Sequence, residues 1–150
     1  MSTDEQNPQE LPNQETTWQN LFLWAENWKN DAEFELFEIQ FLNDLIDSNF
    51  INLLDQENLD ELRELQKDVL KASQEGQNLI KQIDAHMHQI AEIIDAPFTY
   101  DASVLGATHQ LLQDSSSTLS KKHKIIKITT FNMIKDIFQH DRPPFTWNYN

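Results

Sequence analysis

LDELRELQKDVLKASQEGQNLIKQIDAHMHQIAEIID, residues 59–95, carries the pattern on which the fold turns. Leu59, Leu62, Gln66, Val69, Ser73, Gly76, Ile80, Ile83, Met87, Ile90 and Ile94 recur at alternating steps of three and four. That is a seven-residue repeat, and it predicts one long helix with a single seam toward its neighbours. Asp55 is placed to cap its start, with Asn58 as the alternative, and Pro97 to stop it, so the helix is expected over about 56–95. Gly76 stands mid-helix on the seam, where glycine costs about 1 kcal/mol relative to alanine. Beside Ala72 and Ser73 it reads as room left for a large side chain from another helix.

Working outward, the segment before it is also helical, over about 17–54, with Thr16 or Thr17 as N-cap. One stripe runs Leu21, Ala25, Trp28, Ala32, Leu36, Ile39, Leu42, Ile46, Phe50, Leu53. Asn30 and Asp31 are weak helix formers, and a break near Asn30 would turn the arrangement into one of four helices. On the other side, APFTYDAS (96–103) is a turn with Asp101 or Ser103 as the next N-cap. A third helix follows over about 103–140, with Val104, Leu105, Thr108, Leu112, Ser115, Leu119, Ile126, Met133 and Ile137 as its stripe. Its stretch DSSSTLS (114–120) is a poor helix former, and Arg142-Pro143-Pro144 ends it.

Segments of nearly 40 residues each span about 55–60 Å at 1.5 Å per residue. Short connections make consecutive helices antiparallel neighbours. The expected fold is all-α, an elongated antiparallel three-helix bundle spanning 16–140. Two glycines in 150 residues argue against an all-β fold, whose tight turns lean on glycine. Residues 1–15, rich in Gln, Asn, Glu and Pro, read as a disordered acidic tail. Residues 141–150, DRPPFTWNYN, read as an aromatic tail that docks on the bundle or on a neighbouring copy.

The first helix is unusual. Leu23, Phe34, Phe37, Phe41 and Leu45 gather on a second face, about 150° around the helical wheel from the first stripe. A helix with two apolar faces sits between two layers, and only one of them is supplied by its own bundle. Self-association, a different protein, or internal burial after a bend are the three ways to cover the other. The residues expected to bind a partner are Leu23, Phe34, Phe37, Phe41 and Leu45, with Phe145 and Trp147 of the tail. Trp18, Trp24 and Trp28 crowd the start of the same helix and read as core or interface anchors.

Net charge is −14, which repels nucleic-acid backbone and anionic membrane alike. Residues 1–60 hold 14 acids against Lys29 alone, whereas residues 111–150 hold three acids and six bases. The basic last helix is expected to lie beside the acidic first one and neutralise it. No cysteine occurs, which excludes disulfides, thiolate metal sites and a cysteine nucleophile. The polar N-terminus has no signal-peptide pattern, and no run of about 18 apolar residues is present. Membrane insertion is not expected, and the expected location is cytoplasmic.

For chemistry, only the histidines offer candidates. Reflection about the turn near residue 98 puts His88 level with His109, with Glu92 four residues beyond His88. A metal or small-molecule site from His88, Glu92 and His109, near His86 and Trp24, is thus a geometric alternative. Against it, the ExxH repeat of carboxylate di-metal bundles is missing, and His86 and His88 at i,i+2 point to different faces. No phosphate loop, HExxH, GxSxG or EF-hand loop occurs. The expectation is a non-enzymatic protein without cofactor or metal, binding protein and forming a homo-oligomer through the second face of its first helix.

Overall fold

The computed structural model describes residues 15–96 and 101–140. Both tails, Phe145 and Trp147 among them, lie outside the described residues. Within these, 96% of residues are helical and no strand occurs. The elements are α1 (Glu15–Ser48), α2 (Phe50–Gln56), α3 (Leu59–Asp95) and α4 (Ala102–His140). Three long helices pack against one another, and the short α2 packs mainly on α4.

Helix α1 runs unbroken through Asn30 and Asp31, so the break expected there does not occur. Packing overrides the weak propensity of these residues: Ala25 and Ala32 on either side are both buried, and Lys29 bonds Asp84 of α3 at 2.9 Å. The chain departs from the helix at Asn49 instead, with φ −113° and ψ 14°. There the Asn49 side-chain amide donates to the Leu45 carbonyl at 2.8 Å and the Ser48 hydroxyl to that of Asp44 at 2.6 Å. Such local side-chain bonds compete with helix continuation. Helix α2 then returns Leu53, fully buried, to the core.

Caps set the remaining starts. Asn58, rather than Asp55, caps α3, its side-chain oxygen accepting from the Asp60 N–H at 2.7 Å and the Glu61 N–H at 3.4 Å. Asp60 and Glu61 in the first turn favour the helix dipole. Asp101 caps α4, accepting from the Ser103 N–H at 3.0 Å and the Val104 N–H at 3.3 Å. Helix α1 is already helical at Glu15, so Thr16 and Thr17 lie inside it.

Buried residues on α3 do follow a seven-residue repeat, but one of its two rows differs from the expected one. Leu62, Val69, Gly76, Ile83 and Ile90 are buried as expected. Their companions are Leu65, Ala72, Leu79, His86 and Ile93. Gln66, Ser73, Ile80, Met87 and Ile94 stay half-buried on the other flank, and Leu59 is exposed. In α4 one row is Leu105, Leu112, Leu119 and Ile126, all buried, with Met133 half-buried. The other row is His109, Ser116, His123, Thr130 and Ile137, polar in four of five places.

Cross-helix pairs fix the directions. Lys29–Asp84 and Gln66–Asp47 make α1 and α3 antiparallel. Lys122–Glu75 and His86–His109 do the same for α3 and α4. Helices α1 and α4 therefore run parallel, and Ser120–Glu35 and His123–Glu38 pair them at a constant offset of 85 residues. The apolar core runs along most of the rod, from Ala25 to Ile137, with a second cluster of Trp18, Leu21, Ile90, Ile93 and Leu105 at one end.

Gly76 faces Leu36 of α1 and Leu119 of α4. A Cβ built on it would stand 3.5 Å and 3.7 Å from them, ordinary van der Waals contact, so the space is not required by a neighbour. Gly76→Ala should therefore raise stability by about 1 kcal/mol through helix propensity. Gly76→Val should overpack against Leu36 and Leu119 and lose about 1–3 kcal/mol. Urea unfolding of both variants checks the pair of signs.

Candidate functional site

Two features stand apart from an ordinary bundle. The first is the outer face of α1. Phe34, Phe37 and Phe41 are 59%, 68% and 55% exposed and Leu23 is 52% exposed. They share one side because their spacing carries them to the face opposite Ala25, Ala32, Ile39 and Ile46, which are buried. Leu45, expected on this face, lies at its edge and is half-buried against the core. A row of exposed phenylalanines on one helix exceeds the scattered apolar surface usual for a soluble protein.

The neighbouring flank belongs to α4. Glu38 is held by His123 at 2.7 Å and Lys127 at 3.0 Å, and these contacts lower the Glu38 carboxyl pKa, the Lys127 bond most of all. Lys122 pairs with Glu75 of α3 at 2.8 Å. The basic last helix thus does lie beside the acidic first one, and within its run SKKHKIIK (120–127) Lys122, His123, Ile126 and Lys127 are spent inward. Lys121, Lys124 and Ile125 face out, followed by exposed Ile128, Phe131, Lys135 and Phe138. Along the same α1/α4 seam a cleft of about 220 Å³ opens between Trp28, Asp31 and Glu35 on one wall and Gln113, Ser116 and Ser120 on the other. The serine-rich stretch borders this cleft while α4 stays helical through it.

The second feature is a buried imidazole pair. His86 Nε2 and His109 Nδ1 are 2.9 Å apart, and the two residues are only 1% and 0% exposed. Trp28 lies 4.6 Å and Trp24 5.9 Å from His109, ring centre to ring centre, and the closer approach is tilted. One imidazole donates and the other accepts, so the second nitrogen of one ring carries a proton and that of the other a lone pair. Those atoms, His86 Nδ1 and His109 Nε2, are buried without a hydrogen-bond partner. Burial holds both rings neutral, lowering each pKa from 6.5 to about 4, and in His109 the charge of His86 adds to this.

His88 and Glu92 do not join this pair. His88 is exposed, its Nδ1 donating to the Asp84 carbonyl at 2.8 Å, and Glu92 is exposed as well. His86, and not the expected His88, meets His109, because the α3 seam turns His86 inward and His88 outward. Among the described residues no group of three or more His, Asp or Glu side chains is arranged to hold a metal ion, and no helix is long and apolar enough to cross a membrane. The row Leu65, Ala72, Leu79, His86, Ile93 is the signal that points to His86, because its other members are apolar where the competing row has Gln66 and Ser73.

The fold and these two features define a three-helix bundle with an unpaired apolar face and a buried imidazole pair. Comparison with known protein families, curated proteins and solved structures finds no match.

The histidine pair makes a signed prediction. Unfolded, each ring takes a proton near pH 6.5; folded, only near pH 4. Stability is therefore full above pH 6.5 and falls as pH drops toward 4, by up to about 3 kcal/mol for each ring. Replacing both partners together, His86→Leu with His109→Leu, should remove this loss while leaving neutral-pH stability similar or higher. Denaturant unfolding across that pH range measures it.

Proposed function

We propose that this protein works by assembling with protein through the outer face of α1, and that it carries out no catalysis. The observation that supports this reading is the exposure of Leu23, Phe34, Phe37 and Phe41 along one side of a helix whose opposite side is already buried. Each large apolar side chain left in water forgoes roughly 1.5–3 kcal/mol, and a partner recovers it. The partner proposed is a second copy of the chain. The flank beside this face bears exposed lysines and isoleucines on α4, so one molecule presents both an acidic and a basic apolar strip. Steering by the whole net charge of −14 disfavours nucleic acid and anionic membrane as the surface it meets.

Light scattering over a range of concentrations should give a multiple of 17.6 kDa. The double variant Phe37→Glu, Phe41→Glu should reduce that mass to the monomer while keeping the helical circular dichroism of the parent. A parent that is monomeric throughout rules out the second copy as the partner.

A further inference from the structure

The ion pair Glu38–Lys127 marks where α1 and α4 meet. On α1, Phe34, Phe41 and Leu45 stand at i−4, i+3 and i+7 from Glu38 and so lie on its face. On α4, Lys124 and Phe131 stand at i−3 and i+4 from Lys127, with Ile128 between them. Phe34, Phe41, Lys124, Ile128 and Phe131 are all exposed. The two strips therefore form one surface, acidic and aromatic on the α1 side, basic and apolar on the α4 side.

Charge decides how two such surfaces meet. Helix α1 carries eight carboxylates against one lysine, and that lysine already bonds Asp84. Helix α4 carries five lysines against two carboxylates, and Lys121, Lys124 and Lys135 face solvent. Placing α1 on the α1 of a second copy faces like charge with like. Placing α1 on the other copy's α4 faces opposite charges, and because α1 and α4 are parallel, a two-fold axis along the bundle makes both contacts at once. Such an axis preserves height along the rod. The internal offset of 85 residues then carries over to the contact between copies, so Phe34 reaches the level of residue 119 and Phe41 that of residue 126. Phe41 falls between Lys124 and Ile128 of the other copy, and Phe34 beside its Lys121.

We infer that the chain forms a parallel two-fold dimer in which α1 of each copy packs on α4 of the other. This rests on the assembly reading above and specifies its partner and register. It is also the isologous arrangement expected of a closed dimer.

The absence of native cysteine allows a clean test. Two single variants, Phe41→Cys and Ile128→Cys, are mixed and oxidised with diamide at a concentration where the parent is dimeric. A second pair, Phe34→Cys with Lys121→Cys, guards against a variant that fails to fold. The mixed disulfide is expected to form at least tenfold faster than either homodisulfide in at least one pair. A dimeric parent in which Phe41→Cys or Phe34→Cys instead cross-links to itself overturns this register and leaves assembly through α1 standing. A parent that is monomeric at every concentration overturns both this register and self-assembly, and means that the face is covered from within the chain or by another protein.

Discussion

The seven-residue repeat of α3 is the constraint to which the other long helices answer. Its shared row, Leu62, Val69, Gly76, Ile83 and Ile90, is buried along the whole rod, and Leu36 of α1 and Leu119 of α4 close over its only glycine. A strict heptad keeps one seam facing the partners over many turns. Any helix packed on it must match that register, which is why Lys29–Asp84 and Lys122–Glu75 can both form at the seam's edges. Once α1 commits its alanine and isoleucine face to the core, Phe34, Phe37 and Phe41 have no place inside.

The two interfaces made by α1 are chemically different. Against α3 it sets Ala25, Ala32 and Ile39, all buried, with small residues allowing close approach. Against α4 it meets the row His109, Ser116, His123 and Thr130, and the hydroxyls of Ser116 and Thr130 are buried without a partner. Unpaired buried polar groups weaken a contact. Helix α4 is held to α1 by ionic anchors at Glu38 and by the Trp24, Trp28 and His109 cluster rather than by continuous apolar packing. One consequence is specificity of alignment: sliding α4 by a turn would separate the imidazoles and strand each in an apolar core.

How far the candidate site could be read from sequence differs by residue. Phe34, Phe37, Phe41 and Leu23 were readable because an apolar residue opposite a core stripe has nowhere in a small bundle to go. Leu45 was less so: it lies at the edge of that face, and only the approach of α4 decides that it is half-buried. The choice of His86 over His88 was the hardest. Both stand close to the level of His109, and the rotation of α3 about its own axis selects between them.

What the sequence determined by itself was local: three long helical segments, their period of seven, the Asn58 and Asp101 caps among the alternatives, the two faces of α1 and the opposed charges of its first and last helices. These follow from residue spacing and backbone preference along one stretch of chain. Only the tertiary structure decided which residues beside the shared α3 row turn inward. Leu65, Ala72, Leu79, His86 and Ile93 lie about 60° to one side of it, and Gln66, Ser73, Ile80, Met87 and Ile94 about 40° to the other, at 100° per residue. Either set completes a heptad. The direction from which α1 and α4 approach settles the choice, and with it the burial of an imidazole pair and the survival of a helix through Asn30, where local preference alone favours a break.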